Sequence, residues 1–407
     1  MGLLVQKYGG TSVGSPERIA AVAQRVSRAV ANGDKIVVVV SAMSGETNRL
    51  VDLTNQFGGQ PNEMHRDLVL ATGEQVTVGL LCIALEKIGI TAKGMLGWQV
   101  PVLTDNAHSK ARIQNISGAH IEAVFEDHQV CVIAGFQGVT GQGDVATLGR
   151  GGSDTSAVAI AAAINADECQ IYTDVDGVFT TDPRICENAR LLNQVSFDEM
   201  LELSSSGAKV LQLRAVEYAS KHNMPIRVLS SFSDSKGTLV EEREEMERPV
   251  VSGISSVDSE AKLTIRGVPD LPGIAAKILG PISDSGIDID VIVQNISDEN
   301  TTDFTFTVDK KDTSEAEKIL QKTSESLGGG LIEVDDDIAK VSIVGRGMRG
   351  QSGIASKMFQ SLADHEINIL MITTSEIKIS VVIKKDLMKK AVNALHDTFE
   401  LDKNLDN

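Results

Sequence analysis

Short runs of apolar, largely β-branched residues constrain this chain more than any other feature. Leu3–Tyr8, Ile36–Val40, Val130–Ala134, Cys169–Thr173 and Ile226–Leu229 each have the length and composition of a buried strand. Between them lie helical stretches such as Arg18–Ala31, Glu74–Ile88 and Ser156–Asn165. Buried strands separated by helices predict a mostly parallel sheet covered on both faces, so residues 1–245 read as one α/β domain.

The whole chain has 407 residues, too many for one ordinary core. The charge run Glu241-Glu242-Arg243-Glu244-Glu245-Met246-Glu247-Arg248-Pro249 reads as a solvated linker and a domain boundary. Beyond it, Gly273-Ile274-Ala275-Ala276-Lys277 returns as Gly353-Ile354-Ala355-Ser356-Lys357, an offset of 80 residues without a gap. Seven identities fall in the eighteen positions 273–290 aligned with 353–370, which marks an internal repeat. Each copy reads strand, turn, helix, strand, strand, helix, strand. The segments Gly273–Ser285 and Gly353–His365 carry apolar residues at helical spacing, hence one buried face each. The expected division is 1–245, then 246–264 as linker and first strand, then repeats at 265–340 and 341–407.

Several function classes are disfavoured. The net charge of −18 and an aromatic content of 3% suit neither a polyanion partner nor stacking on bases. Cys82, Cys131, Cys169 and Cys186 form no CxxC, the histidines form no HExxH, and no metal site is expected. The amino-terminal residues lack a signal-peptide pattern, and no apolar run reaches the ~18 residues of a membrane span, so none is expected. Reduced thiols and a cytoplasmic location are the expectation.

The residues suited to chemistry sit on loops. In Lys7-Tyr8-Gly9-Gly10-Thr11-Ser12 a lysine ends a strand and two glycines follow, which lets backbone N–H groups approach a phosphate beside a positive charge. Ser41-Ala42-Met43-Ser44-Gly45-Glu46-Thr47 follows another strand, where open α/β sheets bind ligands, and Ser41 and Thr47 offer short hydroxyls. Glu74, at a helix start, is placed either to interact with the helix dipole or to receive a substrate ammonium. Leu148-Gly149-Arg150-Gly151-Gly152-Ser153-Asp154-Thr155-Ser156 is a glycine-rich loop entering a helix, an arrangement that favours anions, and Arg150 suits a carboxylate. Tyr172 through Arg184 (YTDVDGVFTTDPR) puts three aspartates around a strand end, as ribose acceptors or water-mediated Mg²⁺ ligands. Ser206-Gly207-Ala208-Lys209 adds a second lysine on a glycine turn.

Two motifs mislead, and a third is absent. His65-Arg66-Asp67-Leu68 imitates a protein-kinase catalytic loop, but position 72 is Thr rather than Asn and no DFG follows. Gly141-Gln142-Gly143 is half a dinucleotide fingerprint without its acidic strand end, and no GxxxxGK[ST] exists.

Taken together, KYGGTS, SAMSGET, the Gly73-Glu74 turn, GRGGSDTSA, TDVDGVFTTDPR and SGAKVL resemble, in order and spacing, the aspartate kinases, and the likeness runs through both repeats. The resemblance implies an α/β amino acid kinase (carbamate kinase-like) catalytic domain. Its three α/β/α layers hold a sheet of about eight strands. Two α+β ferredoxin-like ACT domains follow. Length and the Leu211-Gln212-Leu213-Arg214 stretch look like the short lysine-sensitive type. The reaction implied is ATP-dependent phosphorylation of the L-aspartate β-carboxylate, the first step toward lysine, threonine and methionine. A sister kinase acting on glutamate, N-acetylglutamate or UMP, or a non-catalytic amino-acid sensor, is the alternative. Glu74 discriminates, since an acetylated or nucleotide substrate brings it no ammonium.

By the same resemblance Lys7, Asp174 and Lys209 are catalytic. Ser41, Thr47, Glu74, Arg150, Gly151, Gly152 and Ser153 form the aspartate pocket. The nucleotide set is Lys7, Tyr8, Gly9, Gly10, Ser153, Thr173, Asp174, Phe179, Thr180, Thr181, Asp182, Pro183, Arg184 and Lys209, with Mg²⁺ carried by ATP. Phe179 and Ala215 depart from the family's usual tyrosine and serine. Asp270, Gly273, Ile274, Ala275, Gln294 and Asn295, with Ser352, Gly353, Ile354 and Asn368, are the effector contacts, for lysine or for lysine with threonine. ACT pairing implies a homo-oligomer, and Met246 falls where some relatives start a separate regulatory chain.

Overall fold

The computed structural model describes residues 2–59, 61–208, 210–242, 250–296, 301–328 and 330–403. Lys209, Met246 and most of the charged linker lie outside the described residues. The chain divides into two compact units. The first comprises Met1–Phe179, Leu191–Ser205 and Lys209–Met246; the second comprises Thr180–Arg190, Ser206–Ala208 and Glu247–Asn407.

The first unit is built on an eight-stranded sheet. From edge to edge its strands are Gln194–Val195, Thr238–Val240, Ile226–Ser230, Glu168–Thr173, Leu3–Tyr8, Lys35–Val40, Val130–Ala134 and Ala92–Met95. Neighbours run parallel except Ile226–Ser230 against Thr238–Val240. The five strands anticipated from sequence form the centre, because only a central strand is apolar on both faces. Ile36, Val38 and Val40 join Val22, Val26, Leu81 and Leu85 of helices Pro16–Ala31 and Thr72–Lys87 in one core. The alternate residues Val37 and Val39 are also fully buried, and helix Gly152–Ala163 packs against this strand and its neighbours. That helix is buried from Gly152 through Ala161, which explains its small, alanine-rich composition.

Two features were not anticipated. Ile113–Ile116, Val102–Thr104, Gln137–Thr140 and Val145–Thr147 form a small second sheet, and their three- and four-residue lengths give too little periodicity to recognise. In addition, Glu63–Lys87 does reach the length and apolarity of a membrane-crossing helix, correcting the sequence reading. Here it forms two helices, Glu63–Leu70 and Thr72–Lys87, with Val78, Leu81 and Leu85 in the core.

The second unit holds two four-stranded antiparallel sheets. The first repeat supplies Ile289–Ile296, Thr301–Asp309, Glu260–Pro269 and Leu331–Asp335. Helices Ile274–Asp284 and Thr313–Ser326 close its core around Phe304, Phe306 and Ile278. The second sheet orders Gly253–Val257, Ile338–Val344, Lys378–Lys384 and Met371–Thr374, with helices Ile354–Asp364 and Met388–Thr398 on its core. Among the described residues the second copy therefore has no last strand of its own, contrary to the sequence reading. Gly253–Val257, which precedes the first repeat, pairs with Ile338–Val344 and fills that edge. Lys340, buried on the strand Ile338–Val344, makes ion pairs with Glu260 at 2.6 Å and with Asp290, tying the two repeats together.

Candidate active site

Four loops leave the carboxyl ends of central strands, the position at which an open α/β sheet gathers ligand groups. They follow Tyr8, Val40, Ala134 and Thr173. Together with the start of helix Gly152–Ala163 they enclose a cavity of about 510 Å³ within the first unit.

Strand alternation decides which end residues reach it. Lys7 and Tyr8 point to opposite faces. Lys7 lines the cavity and pairs with Asp154 at 2.5 Å, both side chains nearly buried. Tyr8, expected in the nucleotide set, lies in the core instead, its ring stacked 4.6 Å from that of Tyr172 and its hydroxyl donating to Gln6. Gly10 lines the cavity and Gly9 flanks it, with Lys7 Nζ beside its Cα.

Glu74 sits in the first turn of helix Thr72–Lys87, 2% exposed. One carboxylate oxygen accepts the Ala42 N–H at 3.0 Å. The other is buried and has no partner. Burial pushes its pKa up to about 7, against the opposing pull of the Ala42 amide. A buried carboxylate with one open oxygen on a cavity wall is built to receive a cation.

The glycine-rich segment follows a different course from the sequence expectation. Gly152, Ser153, Asp154 and Thr155 already form the first turn of the helix, so their amides lie at its positive end. Gly151, at φ 70°, caps it without a side-chain bond. A Cβ there would fall 2.0 Å from Gln212 Cγ, so the position requires glycine. Arg150 is exposed on the cavity wall.

Of the residues expected from sequence, Lys7, Gly10, Ser41, Thr47, Glu74, Arg150, Gly151, Gly152, Ser153 and Asp174 line this one cavity. Asp174 is exposed and accepts from Thr173 Oγ1 at 3.1 Å. Phe179 forms a bridge with Leu191 and is not among the lining residues. Thr180, Thr181, Asp182, Pro183 and Arg184 belong to the second unit. There Thr180 is fully buried, its hydroxyl 3.0 Å from His396 Nε2 and accepting the Arg190 N–H at 2.9 Å, so that side chain is committed to packing. Asp182 is held by Arg184, which lowers its pKa. The sequence reading missed Asp154, Phe136 and Gln212 as lining residues. Asp154 stood inside the quoted motif, but nothing in its spacing showed that it meets Lys7 between helix and strand. Among the described residues no histidine lines the cavity, and no group of three His, Cys, Asp or Glu could hold a metal ion.

In the second unit the two repeats place equivalent glycines alike. Gly273 and Gly353, at φ 87° and 92°, cap helices Ile274–Asp284 and Ile354–Asp364. Gln294 and Asn295 lie exposed on the strand Ile289–Ile296, and Asn368 is exposed ahead of Met371–Thr374.

Comparison with known proteins agrees with this architecture. The amino acid kinase family pattern matches residues 2–230, and ACT domain patterns match 263–325 and 341–399. An aspartokinase of Pseudomonas aeruginosa is 57% identical over 405 residues, covering 99% of this chain and 98% of its own. The crystal structure of aspartate kinase from Synechocystis matches with a TM-score of 0.55 at 43% identity, over 98% of this chain and 69% of that one. E. coli aspartokinase III in complex with aspartate and ADP shares the fold, with a TM-score of 0.78 at 24% identity over 97% of this chain and 99% of that one. The chain belongs to the amino acid kinase family, and its full-length relatives place it among the aspartokinases.

Proposed function

We propose that the cavity of the first unit transfers the γ-phosphoryl group of ATP to the β-carboxylate of L-aspartate, giving 4-phospho-L-aspartate. The observation that carries this reading is the buried, half-unpaired carboxylate of Glu74 in one cavity with Arg150 and Lys7. An α-amino acid needs an anion for its ammonium and a cation for its α-carboxylate, and Glu74 and Arg150 supply them. An N-acetylated acid or a nucleotide would leave Glu74 unpaired. Ser41, Thr47 and Ser153 add short donors around the acceptor.

The nucleophile is already ionised at pH 7, since a free β-carboxylate titrates near ~3.9, so no general base is required. The obstacle is repulsion between a carboxylate and a polyanionic triphosphate. Lys7, the amides that begin helix Gly152–Ala163, and Lys209 (outside the described residues) offset it and stabilise charge on the transferring group. Asp154 holds the Lys7 ammonium in place. Asp174, on the cavity wall, would hold nucleotide-borne Mg²⁺ through water, and the ion would neutralise phosphate charge there. Thr173 and Phe179, both of the first unit, remain candidates for the nucleotide's distal part.

The two repeats read as sensors of lysine, or of lysine with threonine, through Asp270, Gly273, Ile274, Ala275, Gln294 and Asn295 and through Ser352, Gly353, Ile354 and Asn368. Pairing of these domains between chains gives a homo-oligomer, and translation from Met246 would give a shorter regulatory chain. Four unpaired cysteines suit the reducing cytoplasm.

The test is hydroxamate trapping of the acyl phosphate with ATP, Mg²⁺ and L-aspartate, repeated with lysine, threonine and both. Aspartate-dependent product that an effector suppresses supports both halves of the proposal. Product with glutamate but not aspartate refutes the substrate assignment.

A further inference from the structure

Asp67, the aspartate of the misleading His65-Arg66-Asp67 triplet, lies outside the cavity lining but is fully buried on helix Glu63–Leu70. Donors from two separate segments converge on its carboxylate. Thr147 donates its amide N–H at 2.9 Å and its hydroxyl at 2.6 Å. Ser109 donates its N–H at 2.9 Å, and His108 Nδ1 lies at 3.1 Å. The Ser109 hydroxyl is shared between Asp67 and Glu63. Hydrogen bonds to an ionised acceptor are about twice as strong as neutral ones. Deleting the acceptor would leave buried N–H groups unmatched.

The two segments so fixed are the walls of the Arg150 loop. Thr147 ends the strand Val145–Thr147, three residues before Arg150. Its carbonyl accepts the Ala111 N–H at 3.0 Å. Arg214 closes the circuit, donating to Leu148 O at 2.6 Å and Ala111 O at 3.1 Å. On the other wall the Ser109 carbonyl approaches Gly149, φ 75°, so closely that a Cβ there would lie 2.9 Å from it. Ser109 itself adopts φ 64°. A non-glycine residue in that region is strained and persists only where its surroundings over-determine it. The bonds of Asp67 are those surroundings.

We propose that Asp67 is a positioning residue for the phosphoryl acceptor: by locking Ser109 and Thr147 it fixes where Arg150 presents its guanidinium, without touching substrate. The inference rests on the reading of Arg150 as the clamp of the acceptor's α-carboxylate. Its effect is read first on the acceptor half of the site, because Arg150 stands on the locked loop whereas Lys7 and Gly10 are carried by a different strand and loop.

The test compares steady-state kinetics of the full-length enzyme and of R150A, T147V, D67A and D67N, varying aspartate at saturating ATP and ATP at saturating aspartate. R150A tests the clamp. T147V is near isosteric and removes one donor to Asp67; its aspartate KM should rise about threefold with the ATP KM unchanged. D67A should raise the aspartate KM about tenfold or more, since small misplacement of a binding group is costly in rate and affinity. D67N should recover most of the loss, because its amide oxygen still accepts the two backbone N–H groups while its NH₂ donates to the rotatable Ser109 and Thr147 hydroxyls. An unchanged aspartate KM in R150A would overturn the acceptor reading and this inference with it. If R150A behaves as expected but T147V and D67A leave the aspartate KM unchanged, or move both KM values equally, only the positioning role is overturned. Should D67A not fold, the KM split of T147V decides alone: its presence supports the role and its absence overturns it.

Discussion

Replacing Glu74 by glutamine separates burial of a charge from its use. The wild-type carboxyl has a pKa raised from 4.5 to about 7 by desolvation. At about 1.4 kcal/mol per pH unit, that gap corresponds to ~3 kcal/mol. Between pH 4.5 and 7 the folded protein keeps a proton that the unfolded chain has released. Stability of the ligand-free first unit therefore falls as pH rises through this window, and the ~3 kcal/mol stays lost above it. E74Q abolishes that slope. Its own cost, an amide N–H left without a partner, does not change with pH and cancels in the comparison. Ligand binding should show the opposite sign. Only ionised Glu74 pairs with the aspartate ammonium, so wild-type affinity should drop about tenfold from pH 8 to pH 6 while aspartate itself does not titrate. Calorimetric titration with aspartate, without nucleotide, avoids titration of the γ-phosphate. Chemical denaturation at the same pH values measures the stability arm. An affinity flat from pH 6 to 8 in the wild type, or the same tenfold drop in E74Q, would refute the role assigned to Glu74.

Three further substitutions probe other parts of the structure. Lys7→Ala should remove most of kcat with a milder effect on either KM, because its charge matters most in the transition state; unchanged turnover in the hydroxamate assay would count against it. Gly151→Ala should destabilise the first unit by about 1–2 kcal/mol and raise the aspartate KM, given its φ of 70° and the 2.0 Å approach of Gln212 Cγ; a denaturation midpoint identical to wild type would show that Gln212 moves aside freely. Lys340→Ala should cost about 3 kcal/mol in the second unit, since it strands the buried Glu260 carboxylate. Scanning calorimetry that shows no shift would mean that Glu260 simply takes up a proton.

How much of this was legible depends on how local each cause is. The central strands announced themselves because burial on both faces leaves no alternation, as in Ile36–Val40. The second sheet did not, since Val102–Thr104 and Val145–Thr147 are held by pairing rather than by their own periodicity. The repeat was plain at an 80-residue offset, but its count of strands was not. That Gly253–Val257 completes the second sheet is a long-range pairing that no single copy of the repeat encodes.

The site divides along the same line. Glycine loops at strand ends are local signals, and most of their residues do line one cavity. Partnerships between helix and strand are not local. Asp154 stands in the same motif as Arg150, yet its role follows only from facing Lys7, 147 positions earlier, on the neighbouring layer. The same geometry shows why the site needs both groups before any ligand arrives. Lys7 is held in place by a carboxylate, and Glu74 is kept at the edge of ionisation by burial. Neither charge can relax toward water, so each is already fixed when a triphosphate and an ammonium come to claim it. Preorganised charge of this kind requires no rearrangement at the moment of transfer. Its cost appears instead as the buried, unpaired oxygen of Glu74.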